Sequence, residues 1–297
     1  ILCNEKGGVL NDPVLLRISE DEFWFSISDS DLMLWLQGVN VGCKYDVTID
    51  ELDVCPVQIQ GPLSENLLAK LVGEPVRDIP YYGLMETQVE GVEVVISQTG
   101  FTGEKGYEIY VKEAHDNAET VWNTVLEAGK EFGLQVVAPA HHRRIAAGIL
   151  SWGQDLDFET SPLQVNLSYQ VPRNKAVDYI GKKELERQRT LIDAGEYPFK
   201  MKMVGLIFGG KQITDYAPDF WLIADTEDED MGYVTSPWWS PELNTNIALG
   251  WVPETSSKVG TKLQVRLPDE YSEISSVAAK GEVVELPFRK SVNPSAR

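Results

Sequence analysis

Residues Asp53 to Val72 read DVCPVQIQGPLSENLLAKLV. Apolar and polar residues alternate as far as Ile59, the period of a half-buried strand, and Gly61-Pro62 stops the pattern. Ser64 then offers an N-cap to a helix that places Leu67, Leu68, Leu71 and Val72 on one face. A second block of the same kind follows: strands over 83–89 and 92–98, a loop over 99–105 and a strand over 107–111. The helix after it buries Ala118, Val121, Trp122, Val125 and Leu126 and ends near Gly133. Two strand–helix blocks within 51–136 predict an α+β domain of the split βαβ, ferredoxin-like type.

The flanking segments differ in kind. Val14 to Ser28 carries two apolar runs, VLLRI and FWFSI, around Ser19-Glu20-Asp21-Glu22, the signature of a hairpin. Residues 138–150 read as a helix and 153–162 as an acidic loop. From Met201 onward the chain is strand and turn, with KMVGLIF, MGYVTS, NIALGWV, KLQVRL and EVVELPF at regular spacing, which predicts an all-β, barrel-like C-terminal domain. Gly195-Glu196-Tyr197-Pro198 marks its start, so the expected division is 1–50 with 137–195, then 51–136, then 196–297.

Composition narrows the function classes. The chain has 297 residues, and its 46 acidic against 26 basic side chains give a net charge of -20, which opposes the counterion release that drives nucleic-acid binding. No stretch approaches the roughly 20 apolar residues of a membrane-spanning helix, and no basic, apolar-cored leader is present. A cytoplasmic protein is expected. Cys3, Cys43 and Cys55 suit neither a disulfide framework nor a CxxC zinc site, and the adjacent His141 and His142 diverge on any regular element, so no metal site is expected. The chain opens on Ile1-Leu2-Cys3 with no methionine, which points to a truncated coding sequence.

Two motifs carry chemistry. Asn4 to Pro13, NEKGGVLNDP, puts two glycines in a turn and then Asn11 and Asp12 at a strand end; a plain β-turn and a pocket-facing polar pair both satisfy it. Gly100 to Tyr110, GFTGEKGYEIY, spaces its glycines as G-x-x-G-x-x-G, which is neither a dinucleotide fingerprint nor a Walker loop. On the strand that follows, Glu108 and Tyr110 share one face, with Tyr107 and Ile109 on the other. A carboxylate and a phenol so placed suit the N–H edge of a flat heterocycle, or equally a solvent-facing pair. No set of residues for covalent nucleophilic catalysis can be assembled.

At NEKGGVLND, VQIQGP, TGFTGEKGYEIYV, RIAAGILSWGQDLD, YIGKKEL, GYVTSPWWSP and NIALGWVP the chain resembles the tetrahydrofolate-binding aminomethyltransferase superfamily, that of the glycine cleavage T-protein and the dimethylsulfoniopropionate demethylases. The stretches occur in family order. The resemblance implies a multidomain cloverleaf with tetrahydrofolate in a central channel, and an N-terminal part of the first domain lying outside this chain. It implies that Glu108 binds the pterin ring with Tyr110 lining the pocket, while Phe101 stands where the sulfonium demethylase lines its pocket with a tryptophan. Tyr169 stands where the T-protein has a ring-packing tryptophan, Trp24, Phe25 and Ser26 where a strand meets the pterin. Arg144 matches a family arginine for which a structural ion pair serves equally.

The position of the T-protein's catalytic aspartate is held by Asn11, followed by Asp12, an Asn-Asp pair that the demethylase branch shares. An amide lacks the negative charge that aminomethyl transfer uses. The resemblance therefore implies methyl transfer from a small methylated substrate, of the sulfonium type, to N5 of tetrahydrofolate. The rivals are aminomethyl transfer, which requires a lipoyl carrier protein as partner, and a non-catalytic folate-binding protein of the same fold.

Overall fold

In the computed structural model, residues 1–28, 30–138, 141–271 and 278–289 are described. Along the chain run β1 (Leu2–Cys3), β2 (Val9–Asn11), β3 (Val14–Arg17), β4 (Phe23–Ser26), α1 (Leu32–Cys43), β5 (Val54–Gln60) and α2 (Ser64–Val72). Then come β6 (Leu84–Val89), β7 (Val92–Ser97), β8 (Gly106–Lys112), α3 (Ala114–Gly129), α4 (His141–Ala146) and α5 (Lys182–Asp193). The chain closes with β9 (Met201–Phe208), β10 (Trp221–Ala224), β11 (Asp230–Ser240), β12 (Thr245–Pro253), β13 (Lys262–Val265) and β14 (Ala279–Val284). These form two compact units, one from the described residues of 16–24 and 31–138, the other from those of 1–15, 25–30 and 141–289.

In the first unit a four-stranded antiparallel sheet runs β5-β8-β7-β6. One face is apolar: Ile59, Val94, Ile96, Tyr107, Ile109 and Val111 meet Leu67 and Leu68 of α2 and Val121 and Val125 of α3, all buried. Each such aliphatic side chain contributes about 1.5–3 kcal/mol by leaving water. The α+β character is as expected, but β5 and β6, the strands that α2 joins, are antiparallel, because β5 pairs with β8 and β6 only with β7. A split βαβ unit would make them parallel. Ser64 does not cap α2 either: its hydroxyl donates to the Lys105 carbonyl at 3.2 Å, drawn off by the neighbouring loop. Trp122 is 40% exposed rather than buried, one position off the stripe of Val121 and Val125.

In the second unit six strands close into a barrel, β10-β11-β12-β9-β14-β13, as the run of short strands predicts. Its interior holds Val204, Leu206, Ile223, Val234, Ala248, Leu263 and Val265. A further apolar cluster joins Val9 of β2 and Ile145 of α4 to Met203, Ile247, Leu249 and Trp251 of the barrel strands. The expected helix over 138–150 shrinks to the six residues of α4, ended by Gly148 at φ +70°, with Pro139 and Ala140 outside the described residues. Three elements escaped the sequence reading. The α1 segment LMLWLQGVNVGC has too few polar residues to show a period, α5 is dominated by charge, and β10 is only WLIA.

All three cysteines are free, and burial pushes the Cys3 thiol up to about 11. Among the described residues no helix is long and apolar enough to cross a membrane, and no cluster of His, Cys, Asp or Glu could hold a metal ion. Leu206 is fully buried in the barrel. Leu206→Ala should cost about 2–5 kcal/mol of barrel stability, read as an earlier midpoint in urea unfolding followed by tryptophan fluorescence; a loss below about 1 kcal/mol would contradict this packing.

Candidate functional site

The register of β5 against β8 sets Gln58 opposite Glu108, and β7 sets Ser97 opposite Glu108 from the other side. Glu108 therefore lies mid-sheet on the face away from α2 and α3, and it is 6% exposed. A carboxylate there needs hydrogen bonds. Gln58 Nε2 donates to Oε1 at 2.8 Å, Tyr110 OH donates to Oε2 at 3.1 Å, and the Thr99 hydroxyl also donates to Oε2. Along the same face Lys112 Nζ sits 5.6 Å from the ring centre of Trp24, whose indole N–H donates to Glu22 at 2.8 Å. The sharing of one face by Glu108 and Tyr110 is as the alternation requires, and the two are directly bonded. Phe101 is half-buried in the loop before β8.

The acceptor capacity left on Glu108 is of the kind that the N–H edge of a pterin requires. An ionised carboxylate accepts at about four lone-pair positions, and three bonds from the chain leave capacity for an incoming N–H group. Gln58 and Thr99 were not singled out from the sequence. The signal for Gln58 was present: Gln58 and Gln60 both stand on the polar alternation of β5, against Val57 and Ile59. Thr99 lies in a loop, where no period marks it.

The other predicted residues lie in the barrel-containing unit. Asn11 has no exposure. Its amide nitrogen donates to the Ser28 carbonyl at 3.2 Å and the Ser30 hydroxyl at 2.8 Å, and its oxygen accepts a long bond of 3.4 Å from the Ser28 N–H. A carboxylate could not make the first of these. Among the described residues the Ser28 hydroxyl beside it is buried without a hydrogen-bond partner. Asp12 is half-buried, and burial pushes its carboxyl up to about 6, against a smaller opposite pull from its own backbone N–H. Phe25 and Tyr169 are 39% and 57% exposed, Tyr169 in the short 3-10 turn Ser168–Gln170; Ser26 is half-buried.

Arg144 is wholly enclosed. It donates to Asp155 at 2.7 Å, the Ile149 carbonyl at 3.2 Å and the Ser236 hydroxyl at 2.8 Å. Asp155 accepts further from Ser151 N–H at 2.8 Å, Thr235 at 2.6 Å and Ser236 at 2.5 Å. The cavity beside it, against His141, Gln154, Tyr216 and Trp238, measures about 10 Å³, room for roughly one water. Of the two readings of Arg144, this geometry is that of a structural ion pair.

Residues 1–175 match the family model of the GCVT N-terminal domain, and residues 200–290 that of the glycine cleavage T-protein C-terminal barrel domain. The chain belongs to the glycine cleavage T-protein family. Among its relatives, the dimethylsulfoniopropionate demethylase DmdA of Ruegeria pomeroyi is 34% identical over 267 residues, covering 90% of this chain and 70% of that one. An aminomethyltransferase of Clostridium botulinum (strain Loch Maree / Type A3) is 31% identical over 274 residues, with the same shares covered. In fold, the chain matches the glycine cleavage system aminomethyltransferase T from Bartonella henselae with a TM-score of 0.80 at 24% identity, over 98% of this chain and 75% of that one. As a member of this family the protein is a tetrahydrofolate-dependent one-carbon transferase.

Asp12 gives a test of its environment. Its folded value, about 6, lies above the ordinary 3.8, so the folded state holds its proton more tightly than the unfolded chain does. The stabilising contribution of the protonated form is complete below about pH 4 and is lost as pH rises through about 6. Asp12→Asn should therefore raise the melting temperature at pH 7.5 and leave it unchanged near pH 3.5. The gain should be of the order of 1 kcal/mol, since a tenfold change in proton affinity is worth about 1.4 kcal/mol and the carboxylate keeps part of its hydration. A variant equally stabilised at both pH values would disprove the shift.

Proposed function

We propose that the protein transfers a methyl group from a small methylated substrate, of the dimethylsulfoniopropionate-like sulfonium type, to tetrahydrofolate. The observation that carries this reading is the Asn11 amide, whose nitrogen donates to the Ser28 carbonyl and the Ser30 hydroxyl. Position 11 is built for a neutral amide, and it cannot supply the charge that would steady an iminium-like species in aminomethyl transfer. Methyl transfer from a sulfonium makes no such demand, because the thioether leaves neutral. The similarity to the Ruegeria demethylase supports the same choice.

Bound tetrahydrofolate supplies the nucleophilic nitrogen that takes the one-carbon unit. Glu108, held by Gln58, Thr99 and Tyr110, accepts from the N–H edge of the pterin; the family resemblance adds Phe101, Phe25 and Tyr169 as ring-packing residues. Ser26 adds a polar contact from β4. Asn11 holds the backbone at Ser28, and Asp12, ionised at neutral pH, attracts a cationic substrate. Arg144 positions α4 through Asp155. The division into 1–50 with 137–195, 51–136 and 196–297, and a cytoplasmic setting, belong to this reading.

The second reading is aminomethyl transfer with a lipoyl carrier protein as partner. It is favoured by the aminomethyltransferase relatives, which are nearly as similar as the demethylase, and by Asp12, a half-buried carboxyl next to Asn11.

Mass spectrometry of the folate product separates the two. The protein should yield 5-methyltetrahydrofolate with dimethylsulfoniopropionate and no 5,10-methylenetetrahydrofolate with aminomethylated carrier protein; the opposite pattern would establish the second reading. Glu108→Ala should weaken tetrahydrofolate binding by roughly 2–3 kcal/mol in isothermal titration, the scale of bonds to a charged group, and unchanged affinity would remove Glu108 from the site.

A further inference from the structure

The three glycines of G-x-x-G-x-x-G, two in the loop before β8 and Gly106 at the start of β8, have no part in the proposed chemistry, yet each has a physical cause. Gly103 is at φ +70°, in the left-handed region that a turn here requires. Gly100 and Gly106 answer a different need. A Cβ added to Gly100 would stand 2.2 Å from Gln60 Oε1, and one added to Gly106 would stand 2.4 Å from the same amide. The first and last glycines of G-x-x-G-x-x-G thus close around the side chain of Gln60, the last residue of β5.

Gln60 bonds through both ends of its amide. Its nitrogen donates to the carbonyls of Thr99 at 3.2 Å and Tyr107 at 3.3 Å, and its oxygen accepts from the Thr102 hydroxyl at 2.8 Å. The far end of the loop is tied separately, with the Lys105 carbonyl taking the Gly61 N–H at 2.8 Å and the Ser64 hydroxyl at 3.2 Å, and the Lys105 ammonium paired with Glu65. The two carbonyls that Gln60 holds belong to Thr99, whose hydroxyl donates to Glu108, and to Tyr107, which precedes Glu108 in the chain. One amide therefore fixes both the carboxylate and its donor.

We infer that Gln60 is a positioning residue for folate binding, setting the aim of the Glu108 carboxylate through the backbone of Thr99 and Tyr107 while touching no ligand itself. This rests on the reading of Glu108 as the pterin anchor. Without Gln60, the Thr99 and Tyr107 carbonyls lose their common donor, the loop that Gly100 and Gly106 wrap loses its centre, and Glu108 samples more than one orientation. Preorganisation is lost before any contact to folate is removed.

The test is a double-mutant cycle on the whole chain, with tetrahydrofolate affinity read by isothermal titration. Gln60→Met keeps the side-chain length and removes every hydrogen bond. It should raise Kd about tenfold, the equivalent of one to two ordinary hydrogen bonds. In a Glu108→Ala background the same substitution should change Kd by less than about twofold, because its effect runs through Glu108. A merely structural role would give the same loss in both backgrounds, and that result overturns the inference. So does a wild-type Kd for Gln60→Met when Glu108→Ala binds weakly. If Glu108→Ala itself binds as the wild type does, the anchor reading falls and the inference with it. Should Gln60→Met fail to fold, Thr102→Val, which frees the Gln60 oxygen, replaces it in the cycle with an expected rise of about threefold and the same criterion.

Discussion

The candidate folate site depends on the register of β5 against β8. Pairing Gln58 with Glu108 and Gln60 with Gly106 puts both glutamines on the face that carries the carboxylate, and leaves Ile59 and Val57 to the side of the helices. A slip of one residue would exchange the faces, burying two amides in the apolar layer and turning Ile59 toward Glu108. The cost of such a slip is large, so the apolar packing of α2 and α3 on one side of the sheet secures the polar geometry on the other. Stability and site share one constraint.

Buried polar groups are met in the same way elsewhere in the chain. Asp155 gathers Arg144, Ser151, Thr235 and Ser236 about its two oxygens, so that α4 and the segment after it are fastened to β11 of the barrel. Removing either member of that pair would leave an uncompensated charge in the interior, which is far more costly than the pair is stabilising. Asn11 does on a smaller scale what Asp155 does for the barrel: it satisfies the strand end near Ser28 with both ends of its amide. In both places the side chain's chemistry is matched to backbone and hydroxyl partners rather than to bulk water. Asp12, next in sequence, differs. Its carboxyl is taken partly out of water without such a set of donors, which is why it is harder to ionise.

Legibility from sequence followed local periodicity. The strands β5, β6, β7 and β8 and the helices α2 and α3 could be read because their apolar residues recur at two or at three to four positions and line a face in the core. The barrel could be read as a run of short strands. Where the period is masked the reading failed: α1 is apolar nearly all round, α5 is charged nearly all round, and β10 is too short to show a pattern. Strand direction was also beyond reach, so the antiparallel placing of β5 and β6 emerged only with the sheet. Of the site, Glu108 and Tyr110 could be named from alternation and family resemblance, whereas Thr99 and Gln60 act across a loop and could not.

What the sequence by itself determined is the family, the α+β and all-β character of the two regions, the side of β8 on which Glu108 and Tyr110 stand, and the uncharged side chain at position 11. These are local properties, carried by residue type and by the two-residue repeat of an extended chain. The tertiary structure alone decided that Glu108 accepts from Gln58 and Thr99, that Arg144 is spent on Asp155, and that two glycines, Gly100 and Gly106, close on Gln60. The physical reason is that each joins groups which only the folded chain brings together, most plainly over long separations in sequence. A hydrogen bond between residues 39 to 50 positions apart in the chain, as Gln60 makes to Thr99 and Gln58 to Glu108, exists only once strand register has brought them together, and no local pattern records it.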